Sequence, residues 1–527
     1  MNLRLKRIIL ATALFAAAMM MESTGGFPLW QLLLAYLMPY LIVGYDVIGE
    51  AVDAVRHGRG LDEHFLMTIA TLGALVIGFM PGADNEFAEA VFVMLFFQVG
   101  ELFEHYAEDK SRRSVTRLMD LRPDTAHVIR CGTEHTVDPA TVAVGETIIV
   151  KQGERVALDG RVTSGRSTLN TAALTGESEL RSVAPGDDIV SGCINMGDHL
   201  TIVTTKCFGE STVAKIIDLV ENAAEKKSKR EAFITRFARV YTPIVVGLAA
   251  AMIIIAPIIC CCLPCSCHPG HEVAAFIPHP TFFTDWLSRA LTFLVVSCPC
   301  ALVISIPLTF FCGIGGASRR GILVKGATHM ETLSRLKAVV FDKTGTLTDS
   351  DNRVKSKARE AIQQLRRLGI RRIVMLSGDR EETVSRVAAD VGIDHYRAQL
   401  LPADKVAEVE RIDGRPLAFV GDGINDAPVL ARADVGIAMG ALGSDAAIEA
   451  ADVVLMDDNP RKVALAVRIA RKTLCIATEN TVFAIAVKIG VLLLAAAGIA
   501  TMWMAAFADV GVTVIAVFNA MRAWRGK

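Results

Sequence analysis

The sequence carries no excess of charge of either sign. Lys and Arg number 55 against 56 Asp and Glu, a formal net charge of −1. No global positive field therefore exists to gather nucleic acid. No G-x-x-x-x-G-K-S/T run occurs, which excludes a P-loop nucleotide site. There is no internal repeat and no low-complexity linker. Cysteine is sparse, 12 in 527 residues, and clustered: Cys260, Cys261, Cys262, Cys265 and Cys267, then Cys298 and Cys300. That clustering points to metals more than to a disulfide framework. Lys and Arg are also missing from 81–86, 263–285 and 499–501.

What the chain does have is apolar surface. Hydrophobic residues make up 52% and mean hydropathy is +0.41. The excess falls in blocks near the roughly 20 residues that cross a bilayer. Eight such blocks are predicted: Ile8–Met21, Phe27–Ile48, Phe65–Met80, Phe87–Tyr106, Tyr241–Cys262, Trp286–Phe311, 475–498 and 502–520. The first follows Arg4, Lys6 and Arg7 and reads as a span or as a secretory signal. Gly49–Gly60, with Arg56, His57 and Arg59, reads as an interfacial helix or loop. Basic residues crowd the N-terminus, both soluble segments and the tail, so both soluble segments are expected on the cytoplasmic side.

The soluble segments differ in pattern. Residues 111–232 are β-rich, with strands expected at Ala126–Arg130, Thr147–Val150 and Leu200–Thr204, and a helix over Glu210–Ala224. Leu174-Thr175-Gly176-Glu177-Ser178 falls in a loop between strands. Residues 326–470 alternate strand and helix: Ala338–Phe341, Ala358–Leu368, Arg372–Leu376, Glu381–Val391 and Pro416–Val420. That alternation predicts a parallel sheet with helices on both faces.

The chemistry gathers at the ends of these strands. Ala338–Phe341 leads into Asp342-Lys343-Thr344-Gly345-Thr346-Leu347-Thr348. At the carboxyl end of a parallel strand Asp342 stands in a crevice, where it can attack a phosphoryl group and form an aspartyl phosphate. A second strand ends in Ser377-Gly378-Asp379, suited to hold a phosphate oxygen. A third ends in Gly421-Asp422-Gly423-Ile424-Asn425-Asp426, where an acid can hold Mg²⁺. Lys405 precedes the third strand and can pair with phosphate as a point charge.

In the membrane, Ser297-Cys298-Pro299-Cys300 lies inside the sixth block. Pro frees a backbone carbonyl there, and two thiols flank it, donors for soft or borderline ions. Lys488 and Asp509 lie within the seventh and eighth blocks. A charge at mid-bilayer costs about 2.5–3.5 kcal/mol on insertion scales. The two form a structural salt bridge, or Asp509 is a metal ligand and Lys488 its built-in counter-ion. Glu89, near the outer end of the fourth block, is a snorkelling acid or part of an ion path. The Cys-rich loop 260–271 suits Zn²⁺ or Cd²⁺, or oxidation to disulfides.

Together these motifs resemble the P-type ATPases, and C-P-C ahead of the D-K-T-G-T run resembles their heavy-metal branch. Ala508-Asp509-Val510-Gly511 with an upstream Lys is similar to the zinc, cadmium and lead exporters. The resemblance implies an eight-span helical membrane bundle, a β-rich actuator domain (111–232) and a haloacid-dehalogenase-like phosphorylation domain (326–470). The spans fall in 1–110, 233–325 and 471–527. It implies Asp342 as the phosphorylated residue, Thr344 and Asp422 at Mg²⁺, and Ser377, Gly378 and Lys405 at phosphate, supported by Asp379, Asn425 and Asp426. Glu177 would position the hydrolytic water. Cys298, Cys300 and Asp509 would take the ion, Lys488 would replace it, and Glu89 would line its release.

One departure is large. The family inserts a nucleotide-binding domain of some hundred residues after the phosphorylation loop, yet here Thr348 leads almost at once to the helix at Ala358. ATP use by this chain alone is therefore expected to be slow or absent, with phosphorylation by inorganic phosphate retained. No Cys-x-x-Cys precedes the first block, so ion entry is expected at the platform near Gly44–Arg59. The expected partners are a lipid bilayer, the plasma (inner) membrane, and metal ions; no nucleic acid or obligate protein partner is expected. The alternatives are a membrane-tethered phosphatase and a non-catalytic metal-binding protein.

Overall fold

The computed structural model describes residues 2–57, 63–80, 86–116, 123, 125–130, 132–171, 180–215, 241–255, 258, 280–297, 300–349, 351–422, 426–440 and 449–524. The chain divides into two compact units. The first joins Met1–Asp109, Arg230–Leu308 and Ala477–Ala520; the second joins Lys110–Lys229, Thr309–Ile476 and Met521–Lys527.

The first unit is helical. Among the described residues four stretches are long and apolar enough to cross a membrane: Leu29–Arg56, Phe283–Ser318, Arg461–Ala496 and Met502–Ala523. His64–Ile77 and Tyr241–Ile255 are shorter apolar helices. The first predicted block is the helix Asn2–Thr24, packed on Leu29–Arg56, with Arg7 Nη2 3.2 Å from Asp46 Oδ1. Trp30, Leu34, Met38, Leu41 and Tyr45 stand exposed along Leu29–Arg56, a face that lipid can cover. The inner side is tight: a Cβ on Gly73 would lie 2.7 Å from Leu291, so two helices approach closely there.

One expectation is corrected here. Gly49–Arg56 is not a separate interfacial element, because the helix runs unbroken to Arg56, and 58–60 lie outside the described residues. Val43, Val47, Ala51 and Ala54 are buried at helical spacing, and that stripe carries the helix past Gly49. The described residues of the sixth block fall in Pro280–Val296 and Cys300–Ser318, and Cys298 and Pro299 between them lie outside the described residues. Ser297 closes the first of these helices, its backbone N–H donating to Phe293 O at 3.1 Å.

Among the described residues the second unit contains three sheets. Its β-rich part comprises β1 (Ala126–Arg130), β2 (Thr133–Val137), β3 (Thr147–Val150), β4 (Gly160–Ser164), β5 (Ser167–Asn170), β6 (Leu180–Val183), β7 (Asp188–Ile189), β8 (Ile194–Asn195) and β9 (Leu200–Thr204). They form a six-stranded sheet in the order β2-β1-β3-β9-β4-β7 and a three-stranded sheet in the order β6-β5-β8, all antiparallel. Alternating burial along β9 gives it one core face, as an antiparallel sheet requires.

The α/β part comprises β10 (Ile322–Val324), β11 (Ala338–Asp342), β12 (Arg372–Leu376), β13 (His395–Arg397), β14 (Leu417–Gly421), β15 (Val435–Ala438) and β16 (Val453–Leu455). Their order is β10-β16-β15-β14-β11-β12-β13, and all pairs but β10–β16 are parallel. β11 and β14 are buried at every position. That is why both read as unbroken apolar runs. Because β12 and β14 flank β11 in parallel, all three end at one edge.

Candidate functional site

That shared edge collects the acids. Phe341 pairs with Val420 and Asp342 with Leu376, so the residues after β11, β12 and β14 leave the sheet side by side. Asp342, Asp422 and Asp426 bring carboxylate oxygens within 4.8 Å of one another. Lys405, on the helix Pro402–Arg411, reaches in to donate to Asp342 Oδ1 at 2.6 Å and Asp426 Oδ1 at 2.9 Å. The Thr344 backbone N–H donates to Asp342 Oδ2 at 3.1 Å. Gly345 permits this packing: its φ is +71°, and a Cβ there would lie 1.2 Å from Asp422 Oδ2.

The charges are out of balance. Burial, with Asp426 next to it, raises Asp342 to about 7 despite Lys405. Burial and Asp426 also raise Asp422. Burial works against the Lys405 ammonium, yet Asp342 and Asp426 raise its pKa overall. Lys355 works against the rise at Asp422, and three converging carboxylates are a hard-oxygen set that suits Mg²⁺. The Thr346 hydroxyl, buried and without a hydrogen-bond partner among the described residues, adds an unused polar group close by in sequence.

The other predicted residues fall around this centre. Ser377 is buried, its Oγ accepting from the Asp379 N–H at 3.1 Å. Gly378 lies beside the Leu400 carbonyl, 3.2 Å from where a Cβ would be. Asp379 faces Lys343, whose Nζ is 2.5 Å from its Oδ2. Lys343 is wholly buried and also donates to Asn352 Oδ1. Sequence reasoning missed Asn352 and Lys355, the latter donating to the Gly345 carbonyl. Both come from the short connection after Thr348. That connection is a closed turn: Asp349 N–H donates to Arg353 O at 2.9 Å and Lys355 N–H to Leu347 O at 2.9 Å, with Thr348 bridged to Val354. Glu177 and Asn425 lie outside the described residues.

The first unit holds a second charged pair. Lys488 Nζ lies 2.6 Å from Asp509 Oδ1, and both are buried. The same ammonium donates to Val296 O at 3.2 Å. Val296 is the last residue of Pro280–Val296, so the ammonium lies beside the carboxyl end of that helix, where a cation is favoured. Cys298, and the side chain of Cys300, lie outside the described residues, as does the loop 260–271. Glu89 is half-buried in the first turn of Phe87–Thr116.

Comparison with known proteins agrees with both halves of this picture. Residues 120–221 match the P-type ATPase actuator domain and 350–434 match haloacid dehalogenase-like hydrolases. The chain is 41% identical to a zinc-transporting ATPase of Synechocystis, with 98% of this chain and 84% of that protein covered. It is 40% identical to a cadmium, zinc and cobalt-transporting ATPase of Bacillus subtilis, with 93% and 83% covered. The Synechocystis alignment runs over 630 positions against a chain of 527, so at least 103 of them are gaps in this chain. A crystal structure of a zinc-transporting PIB-type ATPase in the E2.Pi state matches with a TM-score of 0.55 at 27% identity, covering 99% of this chain and 100% of the other.

Three outcomes follow from the geometry. Gly345→Ala should displace Asp422 and cut phosphoryl uptake at Asp342 by about 10²-fold, read with radiolabelled phosphate. Asp342→Asn should raise the melting temperature, and the gain should grow as pH rises. The folded carboxyl holds its proton up to about 7 against an ordinary 3.8, so between those values the wild type forfeits stability that Asn keeps. Scanning fluorimetry from pH 4 to 8 tests this; a flat difference contradicts it. Lys488→Ala should destabilise the ion-free protein by about 3–5 kcal/mol by stranding Asp509, and added Zn²⁺ should restore part of the loss.

Proposed function

The chain belongs to the type IB heavy-metal P-type ATPases, and from that membership we propose that it exports Zn²⁺, Cd²⁺ or Pb²⁺ across a plasma membrane through a phosphorylated Asp342. The observation that carries the reading is the contact of Lys405 with Asp342 beside Asp422 and Asp426. It supports a nucleophile, a phosphate anchor and a cation site at one sheet edge. The proposed organisation is eight spans, with the actuator domain at 111–232 and the phosphorylation domain at 326–470, both cytoplasmic.

In this reading an Asp342 carboxylate oxygen attacks phosphorus and a P–O bond of the donor breaks, its electron pair leaving on the ester or anhydride oxygen of a phosphate ester or ATP, or on a hydroxyl of inorganic phosphate that picks up a proton and departs as water. Lys405 neutralises the phosphoryl oxygens, while Thr344 and the Ser377–Gly378 turn hold them. Asp342 and Asp422 would hold Mg²⁺, which screens the phosphate charge. Hydrolysis adds water, oriented by Glu177, across the acyl phosphate and returns the carboxylate and inorganic phosphate. The ion would sit on Cys298, Cys300 and Asp509, and Lys488 would take its place on Asp509 after release. Two thiolates and a carboxylate balance a divalent ion better than Cu⁺. Glu89 would line the exit.

Its phosphoryl donor is the unusual part. The gap of at least 103 positions against the Synechocystis protein and the closed turn after Thr348 support the loss of the adenine-binding domain. ATP then lacks the positioning that is worth about 7–11 kcal/mol elsewhere. Inorganic phosphate and small phosphate esters need only the sheet edge. The same turn favours the second reading, a membrane-tethered phosphatase.

The test is phosphorylation of the intact protein. With Mg²⁺, inorganic phosphate or a metal-fluoride mimic should load the wild type and not Asp342→Asn. Zn²⁺ should alter that loading in the wild type and not in Cys298→Ala. ATP should load it about 10²-fold more slowly or worse. Loading indifferent to Zn²⁺ would leave only the phosphatase, and rapid ATP turnover would overturn the account of the donor.

A further inference from the structure

A cavity of about 170 Å³ opens inside the helical unit, with Asp509 in its lining beside donors that have no role in the reading so far. Its polar lining is His64, Glu101, His105, Asp509 and Thr513; the rest is apolar, including Phe97 and Val295. At roughly 30 Å³ per water, it has room for a cation with part of its hydration shell.

His64 has the set-up of a ligand. Its Nε2 lies 3.0 Å from Glu50 Oε2. Its Nδ1 is buried and has no hydrogen-bond partner among the described residues. A carboxylate on one ring nitrogen and nothing on the other is how metal-binding imidazoles are usually held. The ring is braced edge-on against Phe97, centroids 5.6 Å apart. Across the cavity, Glu101 and His105 sit four residues apart on Phe87–Thr116, a spacing that puts them on one face. Arg4 Nη1 lies 3.8 Å from Glu101, so that acid keeps a counter-charge when no cation is near. The only trio of carboxylate, imidazole or thiol donors that converges within 4.8 Å, among the described residues, is the Asp342 cluster. The cavity donors are therefore spaced for an ion that keeps some of its water.

We propose that His64, His105 and Glu101 form a staging site that holds a partly hydrated Zn²⁺ next to Asp509, one step before the thiolates. Two imidazoles and a carboxylate favour a borderline ion over soft Cd²⁺ or Pb²⁺, whereas thiolates favour the soft ones. The cavity thus sorts ions that the Cys-Pro-Cys pair alone would accept. This deepens the export reading and rests on it for the order of the two sites.

The experiment is metal binding to the full-length protein in nanodiscs, without turnover. Bound Zn²⁺ and Cd²⁺ per chain are measured by equilibrium dialysis over graded free metal, for wild type, Glu50→Gln and the doubly substituted His64→Ala/His105→Ala. The double variant should lose one weakly held Zn²⁺ per chain and no Cd²⁺. Glu50→Gln should weaken that Zn²⁺ by about 10- to 100-fold. Zinc-edge absorption spectra should lose imidazole scattering and keep the sulfur shell. If the double variant melts early, His64→Asn alone is read in its place. Unchanged Zn²⁺ stoichiometry, or an equal loss of Cd²⁺, overturns the staging site. Failure of Asp342 to load phosphate, with the extra Zn²⁺ retained, would sink the export reading instead.

Discussion

One lysine holding two buried carboxylates at the end of a strand is the constraint from which the α/β domain takes its form. Asp342, Asp422 and Asp426 converge because β11 and β14 are parallel neighbours that stop at one edge. Such crowding is costly in a low-dielectric setting, and Lys405 offsets only part of it. The domain tolerates the remainder as stored affinity for positive charge. A cation and a phosphoryl group that together neutralise the edge are met by a site already shaped for them. Gly345 is the steric price of that arrangement, since no side chain fits beside Asp422.

The helical unit repeats the theme in apolar surroundings. Lys488 and Asp509 satisfy each other, and the lysine also donates to the carbonyl at the end of Pro280–Val296. One ammonium thus joins the Asp509 carboxylate and the Val296 carbonyl in a single polar cluster among apolar helices.

Much of this was legible in the chain. The seven-residue run at Asp342, the strands ending at Ser377 and Gly421, and the lysine of Lys405 all carried their chemistry in residue type and order. Parallel pairing follows from continuous apolar runs, so the edge that gathers them could be foreseen. Span limits were harder. Glycine at 49 reads as an end, but the buried stripe from Val43 to Ala54 overrides it. The role of Asn352 and Lys355 was invisible, because it depends on how a short connection folds back over Lys343 and Gly345. His64 gave no sign either: a lone imidazole at a helix start acquires meaning only from Glu50, which belongs to another helix.

The turn after Thr348 has a structural corollary. Thr348 and Val354 are bridged neighbours, so the two sides of the short connection after β11 meet directly. Nothing in the seven-stranded sheet is stretched or rerouted to bring them together. A connection whose two sides are pinned to each other in this way can be lengthened at its tip while Leu347 and Lys355 keep the hydrogen bond that joins them.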